Sequence, residues 1–78
     1  MRSIEFAVRG EFITLDALLK ATGLADSGGA AKAMVAAGKV AVDGQMELRK
    51  TCKLRPGQVV SLAGTRIHLR GADDGSSA

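Results

Sequence analysis

The chain has no tryptophan and no tyrosine, and it spreads two phenylalanines, one cysteine, one histidine and one proline over 78 residues. Each shortage excludes something. Phe6 and Phe12 sit in apolar-patterned segments and read as core, so no aromatic platform is expected for stacking bases, which sets aside the usual single-strand readers. A lone Cys52 forms no internal disulfide and no multi-cysteine zinc site, as suits a reducing compartment. Cys52 and His68 are the one possible nucleophile–base pair. Cys52 lies between Thr51 and Lys53 with nothing resembling an oxyanion hole, and the carboxylates are scattered rather than paired. No enzyme activity, cofactor or metal is therefore expected. No apolar run approaches the ~18–20 residues that cross a bilayer. The opening MRSIEFAVRGEF lacks the ~7–15-residue apolar block of a signal peptide, so a cytoplasmic protein is expected. A chain of this length makes one domain and buries only about 60% of its unfolded surface, too little for a deep cleft beside a core.

What the chain does have is positive charge in one place. Its formal net charge is +3. All eleven lysines and arginines fall within residues 1–70, against six acids. Residues 39–70 hold seven of the bases and only Asp43 and Glu47 as acids. In the run Arg49–Arg55, RKTCKLR, four of seven residues are basic and none is acidic. Such a patch attracts phosphate backbones and makes binding salt-dependent.

Hydropathy patterning gives the elements. Ile4, Phe6 and Val8 alternate with Glu5, Ala7 and Arg9, which predicts a half-buried strand over Ser3–Val8. Thr14 is placed to cap a helix over Leu15–Thr22, with its hydroxyl accepting from a first-turn amide. Leu15, Leu18 and Leu19 form its apolar stripe, and Gly23 stops it. Asp26 or Ser27 caps a second, alanine-rich helix over Gly28–Ala37, which Gly38 ends. Gly28 and Gly29 each cost about 1 kcal/mol against alanine in a helix. Their presence means either slack before a start at Ala30 or a backbone that something must approach. Val40 and Val42 begin a hairpin, Asp43-Gly44 turns it, and Met46 and Leu48 return. Pro56-Gly57 marks another turn. Val59, Val60 and Leu62 form a strand, Gly64 turns it, and Arg66–Arg70 follows with Ile67 and Leu69 inward and Arg66, His68 and Arg70 outward. GADDGSSA at 71–78 reads as a disordered tail behind a single domain over residues 1–70.

Nucleic-acid binding is the function this pattern favours. Arg49, Lys50, Lys53 and Arg55 recur at intervals of one to three residues after a hairpin. Lys32 lies one turn beyond Gly28-Gly29, and Lys39 follows the helix stop. Free amides at a helix start bind phosphate oxygens, so Ser27, Gly28 and Gly29 join these cations as candidate contacts in one expected ridge. Gly28-Gly29 is no phosphate loop of the nucleotide-hydrolase type, because no Gly-Lys-Ser/Thr follows. With few aromatics, recognition should rest on backbone contacts and the shape of a folded or duplex RNA. The alternative is a protein-interaction module that docks on a ribosomal or other ribonucleoprotein partner through the thin second helix and an exposed Met34 or Met46.

The ordered set Leu15-Asp16, Gly23-Leu24-Ala25 with Ser27, Ala31-Lys32, Gly38-Lys39-Val40, Val42-Asp43-Gly44 and Pro56-Gly57-Gln58-Val59-Val60 resembles the S4 domain family over residues 12–62. The family pattern runs leucine-aspartate, then GLA-x-S-R-x-x-A-R, then a V-N-G turn. Gly28 stands here where the pattern has arginine, and Asp43 where it has asparagine. The double glycine and RKTCKLR are similar to the small stand-alone bacterial members. The resemblance implies an α+β fold of the αL kind, two short helices packed on a small, mostly antiparallel sheet. It implies RNA, ribosomal or transfer RNA among the candidates, on the second-helix and hairpin surface, and no catalysis.

Overall fold

The computed structural model describes residues 2–71. The elements run β1 (Arg2–Val8), β2 (Ile13–Thr14), α1 (Leu15–Ala21), α2 (Gly28–Ala36), β3 (Ala41–Val42), β4 (Gln45–Met46), β5 (Lys53–Leu54), β6 (Val59–Leu62) and β7 (Thr65–Gly71). Gly71, expected to open the tail, is the last residue of β7 and pairs with Val8. The rest of the expected tail, 72–78, lies outside the described residues.

Five strands form one sheet in the order β1-β7-β6-β3-β4, and β2 and β5 form a separate two-stranded ribbon. The neighbours β7-β6, β6-β3 and β3-β4 are antiparallel. β1 lies parallel to β7, from Arg2 opposite Thr65 to Val8 opposite Gly71. A parallel neighbour requires a long crossover, and here the whole of residues 9–64 supplies it. Period-two alternation does not reveal a strand's partner, so this pairing was not legible in the pattern of β1. Both tight hairpins have two residues in the left-handed region: Asp43 and Gly44 at φ 52° and 83°, and Ala63 and Gly64 at φ 47° and 77°. That matches the right-handed twist of the flanking strands.

One core joins helices and sheet. Leu15, Leu18 and Leu19 of α1, Ala31 and Val35 of α2, and Val40, Leu54, Val60 and Ile67 are 0–1% exposed. Each α-helix buries one stripe, as the spacing predicts. Ala31 is small enough for α2 to lie close to its neighbours.

The helix ends differ from expectation at one point. Thr14 does occupy the N-cap position of α1, but its hydroxyl makes no capping bond. The amide it would cap, Ala17 N–H, donates to the Asp16 carboxylate instead, at 2.9 Å. The first α1 amides are satisfied from elsewhere in the chain: Leu15 N–H donates to the Cys52 carbonyl at 3.0 Å and Asp16 N–H to the Lys50 carbonyl at 2.9 Å. α2 is capped locally, with the Ser27 hydroxyl accepting from Ala30 N–H at 3.2 Å. It begins at Gly28, so the two glycines are helical and not slack before the helix.

Gly38, just past the C-cap Ala37, has φ 74°. A Cβ there would stand 3.1 Å from Met46 Sδ. Gly38→Ala should therefore combine left-handed strain of about 1–2 kcal/mol with a displaced Met46. It is expected to lower Tm by roughly 5–10 °C in a thermal circular-dichroism scan. An unchanged Tm would show that the α2–β3 junction is not held as described.

Candidate nucleic-acid interface

The basic segment between β4 and β6 has little regular structure, yet its backbone is fixed. Glu47 N–H donates to the Val40 carbonyl at 3.0 Å. One oxygen of the half-buried Glu47 carboxylate, Oε2, accepts from Leu48 N–H at 3.1 Å and Arg49 N–H at 3.0 Å, and lies 3.5 Å from Arg49 Nε. These bonds, the Arg49 amide foremost, hold the Glu47 carboxyl below its usual range. Cys52 N–H then closes a turn on the Arg49 carbonyl at 3.2 Å. The Lys50 and Cys52 carbonyls reach the start of α1, as described above.

Arg49, Lys50, Thr51 and Lys53 remain exposed on this frame, and Arg49, Thr51, Cys52 and Lys53 line a hollow of about 320 Å³. The Lys53 ammonium sits 5.0 Å from the centre of the Phe12 ring. Phe12 itself is 39% exposed, which corrects its reading as a core residue. It precedes the short β2 ribbon, where Thr14 pairs with Lys53, and covers one cation rather than entering the core. Phe6 is half-buried against the core, as expected.

Arg55 is exposed at the next turn, where its N–H donates to Gln58 Oε1 at 2.7 Å and Gln58 N–H donates to its carbonyl at 3.2 Å. Asp43 is tied to the same place. Its carboxylate accepts from Val59 N–H at 3.0 Å and from Gln58 Nε2 at 3.0 Å. Those two bonds hold the carboxyl below its usual range, the Val59 amide contributing most. The negative charge that Asp43 brings to the turn is thus directed to the end of β6.

The remaining candidates lie on α2 and beyond it. Ser27, Gly28, Gly29 and Lys32 are exposed. Gly28 and Lys32 are four residues apart and share a flank of the helix. Nothing lies within 4 Å of a Cβ built on Gly28, and only the Ser27 hydroxyl, at 3.8 Å, meets one on Gly29. Neither glycine is required by the protein's own packing. Lys39 is exposed next to Gly38, over which Met46 and Leu48 lie. Those two side chains are 65% and 58% exposed and lead on to Arg49, whereas Met34 is half-buried against the core. The Arg49–Lys53 group is bonded to the N-terminal end of α1, while the start of α2 follows its C-terminal end through residues 22–27. About 10 Å of helix separates the two ends.

Arg66, His68 and Arg70 share the exposed outer face of β7, as alternation predicts, and Arg70 Nη1 pairs with Glu5 Oε1 at 3.3 Å. Burial, then Glu47, pushes the Cys52 thiol up, the opposite of what a nucleophile needs. No described group of three or more His, Cys, Asp and Glu is arranged to hold a metal ion. No described helix is long and apolar enough to cross a membrane. Sequence reading missed the parts played by Glu47, Phe12 and Gln58. Only the closeness of Glu47 to Arg49 in the chain hinted at any of them.

The helix–helix–hairpin order with a basic segment behind it also appears in known proteins. The S4 domain model matches residues 6–70. The chain belongs to the S4 domain family. This S4 domain is 48% identical over 52 residues to YbcJ of Escherichia coli strain K12, a protein named for RNA binding, and the match covers 67% of this chain and 74% of that one. The uncharacterised YbcJ of Shigella flexneri matches to the same extent. The solution structure of E. coli YbcJ, described as revealing an αL motif involved in RNA binding, superposes with a TM-score of 0.62 at 38% identity. That superposition covers 91% of this chain and 89% of the other. The expected α+β, αL-type S4 fold and its small bacterial relatives are thereby found.

Asp43 and Glu47 give this S4 domain a defined acid response. Their folded-state values lie below the ordinary 3.8 and 4.5. The stability they contribute is therefore complete above that range and is lost as pH falls through the lowered folded values. Urea unfolding at a series of pH values should show a plateau at neutral pH and a decline beginning near pH 4. Asp43→Asn should be less stable at neutral pH and show a shallower decline. An identical decline in wild type and variant would remove Asp43 from this role.

Proposed function

We propose that this S4 domain is a non-catalytic, cytoplasmic bacterial RNA-binding module that recognises structured RNA through its backbone and shape. The observation that carries this reading is the exposure of Arg49, Lys50 and Lys53 on a backbone locked to the start of α1. A backbone already held in place spares the cost of ordering the segment when these cations meet phosphates, leaving that of their side chains. Lys32, Lys39 and Arg55 extend the contact, and the Ser27–Gly29 backbone provides amides that a phosphate can approach closely. The names of the E. coli relative and of its solution structure support the same reading. Ribosomal and transfer RNA are the substrate classes in view, since both offer helices held in a fixed shape.

The exposed pair Met46 and Leu48 favours a second reading, docking on a protein of a ribonucleoprotein particle. Failure of the purified domain to bind naked structured RNA would shift the function to that reading.

Two measurements test the RNA reading. Lys50→Ala combined with Lys53→Ala should weaken binding evenly across RNA sequences and flatten the slope of log affinity against log salt by about 1 for each lysine removed. An unchanged slope in a filter-binding titration contradicts it. Gly28→Ala and Gly29→Ala should raise Tm modestly, because alanine is the better helix former, by up to about 1 kcal/mol in a helix interior and by less in a first turn, and has room at both positions. The same substitutions should weaken RNA binding if the α2 amides meet phosphate. A gain in Tm with RNA affinity intact would assign the glycines no part in binding.

A further inference from the structure

The hollow between Arg49 and Lys53 is larger than phosphate contacts alone require. Its volume is about 320 Å³ and it opens broadly to solvent, so a group projecting from an RNA that lies across it can enter. An uninterrupted RNA duplex presents its backbone and a wide, shallow minor groove, and these would meet only the rim.

Rim and floor differ in chemistry. The Arg49 side chain is 80% exposed, Thr51 and Lys53 are also exposed, and Cys52 is half-buried against the core. Burial and the neighbouring Glu47 hold the Cys52 thiol protonated, so the floor is neutral, soft and weakly polar. The rim carries two cations and a hydroxyl. The hollow is also preformed. Glu47 fixes the Arg49 amide, the Cys52 amide closes on Arg49, and the Lys50 and Cys52 carbonyls are bonded to α1. The Phe12 ring seats the Lys53 ammonium from its own side.

A neutral floor under a cationic, hydroxyl-bearing rim matches the parts of one nucleotide. A base can lie over the thiol with its phosphate between Arg49 and Lys53, and the Thr51 hydroxyl is available to a base edge or a ribose 2′-hydroxyl. We propose that this hollow receives a single unpaired nucleotide, so that the RNA bound is a helix interrupted by a bulge or loop. The proposal rests on the RNA reading above and narrows it.

The test uses two hairpin RNAs with the same stem, one uninterrupted and one with a single-nucleotide bulge carrying 2-aminopurine. Affinities are read by anisotropy and the bulged base by its fluorescence. The bulged hairpin should bind about threefold to tenfold more tightly, the scale of one net hydrogen bond to the unpaired nucleotide, with a change in 2-aminopurine emission on binding. Thr51→Leu fills the hollow from an exposed position, removes the hydroxyl and adds no ring. It should abolish the preference, so that the two hairpins bind the variant with equal affinity. Equal affinity of the wild-type protein for both hairpins would overturn the proposal while leaving RNA binding in place. A bulge preference that survives Thr51→Leu would also overturn it, by putting the nucleotide elsewhere. Binding to neither hairpin would overturn the RNA reading itself, and the proposal with it.

Discussion

The first turn of α1 depends on two carbonyls more than thirty residues away in the chain. Leu15 is fully buried, so its N–H cannot turn to water, and leaving it unpaired would cost about 1–3 kcal/mol. The Cys52 and Lys50 carbonyls supply the partners for Leu15 and Asp16. The same two bonds keep an irregular cationic segment in place. Helix capping and positioning of the site are therefore one interaction in this domain. The arrangement puts Lys50 near the positive end of a helix dipole, which is unfavourable for a cation. Asp16 in that first turn offsets it. Its carboxyl is held below the usual range by the Thr14 hydroxyl first, with the Lys50 charge among the further causes. A bound phosphate would act in the same direction.

Much of this was legible in the sequence because local chemistry and tertiary context agree. Asp43-Gly44 reads as a tight turn and is one. Ser27 reads as a cap and accepts from Ala30 N–H. The inward and outward residues of β7 follow from strict alternation. Where the two disagree, the sequence misleads. Thr14 has the right chemistry for a cap, but a competing carboxylate and a better-placed pair of carbonyls displace its hydroxyl. Phe12 is apolar and lies beside a strand, yet it ends partly outside, with the Lys53 ammonium of the paired β5 over its ring. The parallel β1-β7 pairing depends on how the whole intervening chain returns, which no local period encodes.

The candidate site was legible as composition and not as geometry. RKTCKLR announces a cationic surface, but only the structure shows Glu47 turning the chain beneath Arg49 and a hollow opening between Arg49 and Lys53. In the same way, Gly28 stands in the sequence as a departure from the arginine of the resembled pattern and as a candidate backbone contact. In the structure it lies at an exposed helix start, with open space where a side chain would stand. The fold separates this surface from a second basic stripe, Arg66, His68 and Arg70, which lies on the exposed face of the sheet and pairs in part with Glu5.

These two basic surfaces give the account its most direct test. Amide chemical-shift changes mapped by NMR while a structured RNA is added should cluster at residues 47–55, with a second group at 27–32 and at Lys39. The outer-face residues of β7 should stay unmoved. Changes concentrated at Arg66, His68 and Arg70, with the 47–55 segment silent, would contradict the central claim that the segment docked on α1 is the RNA-binding surface.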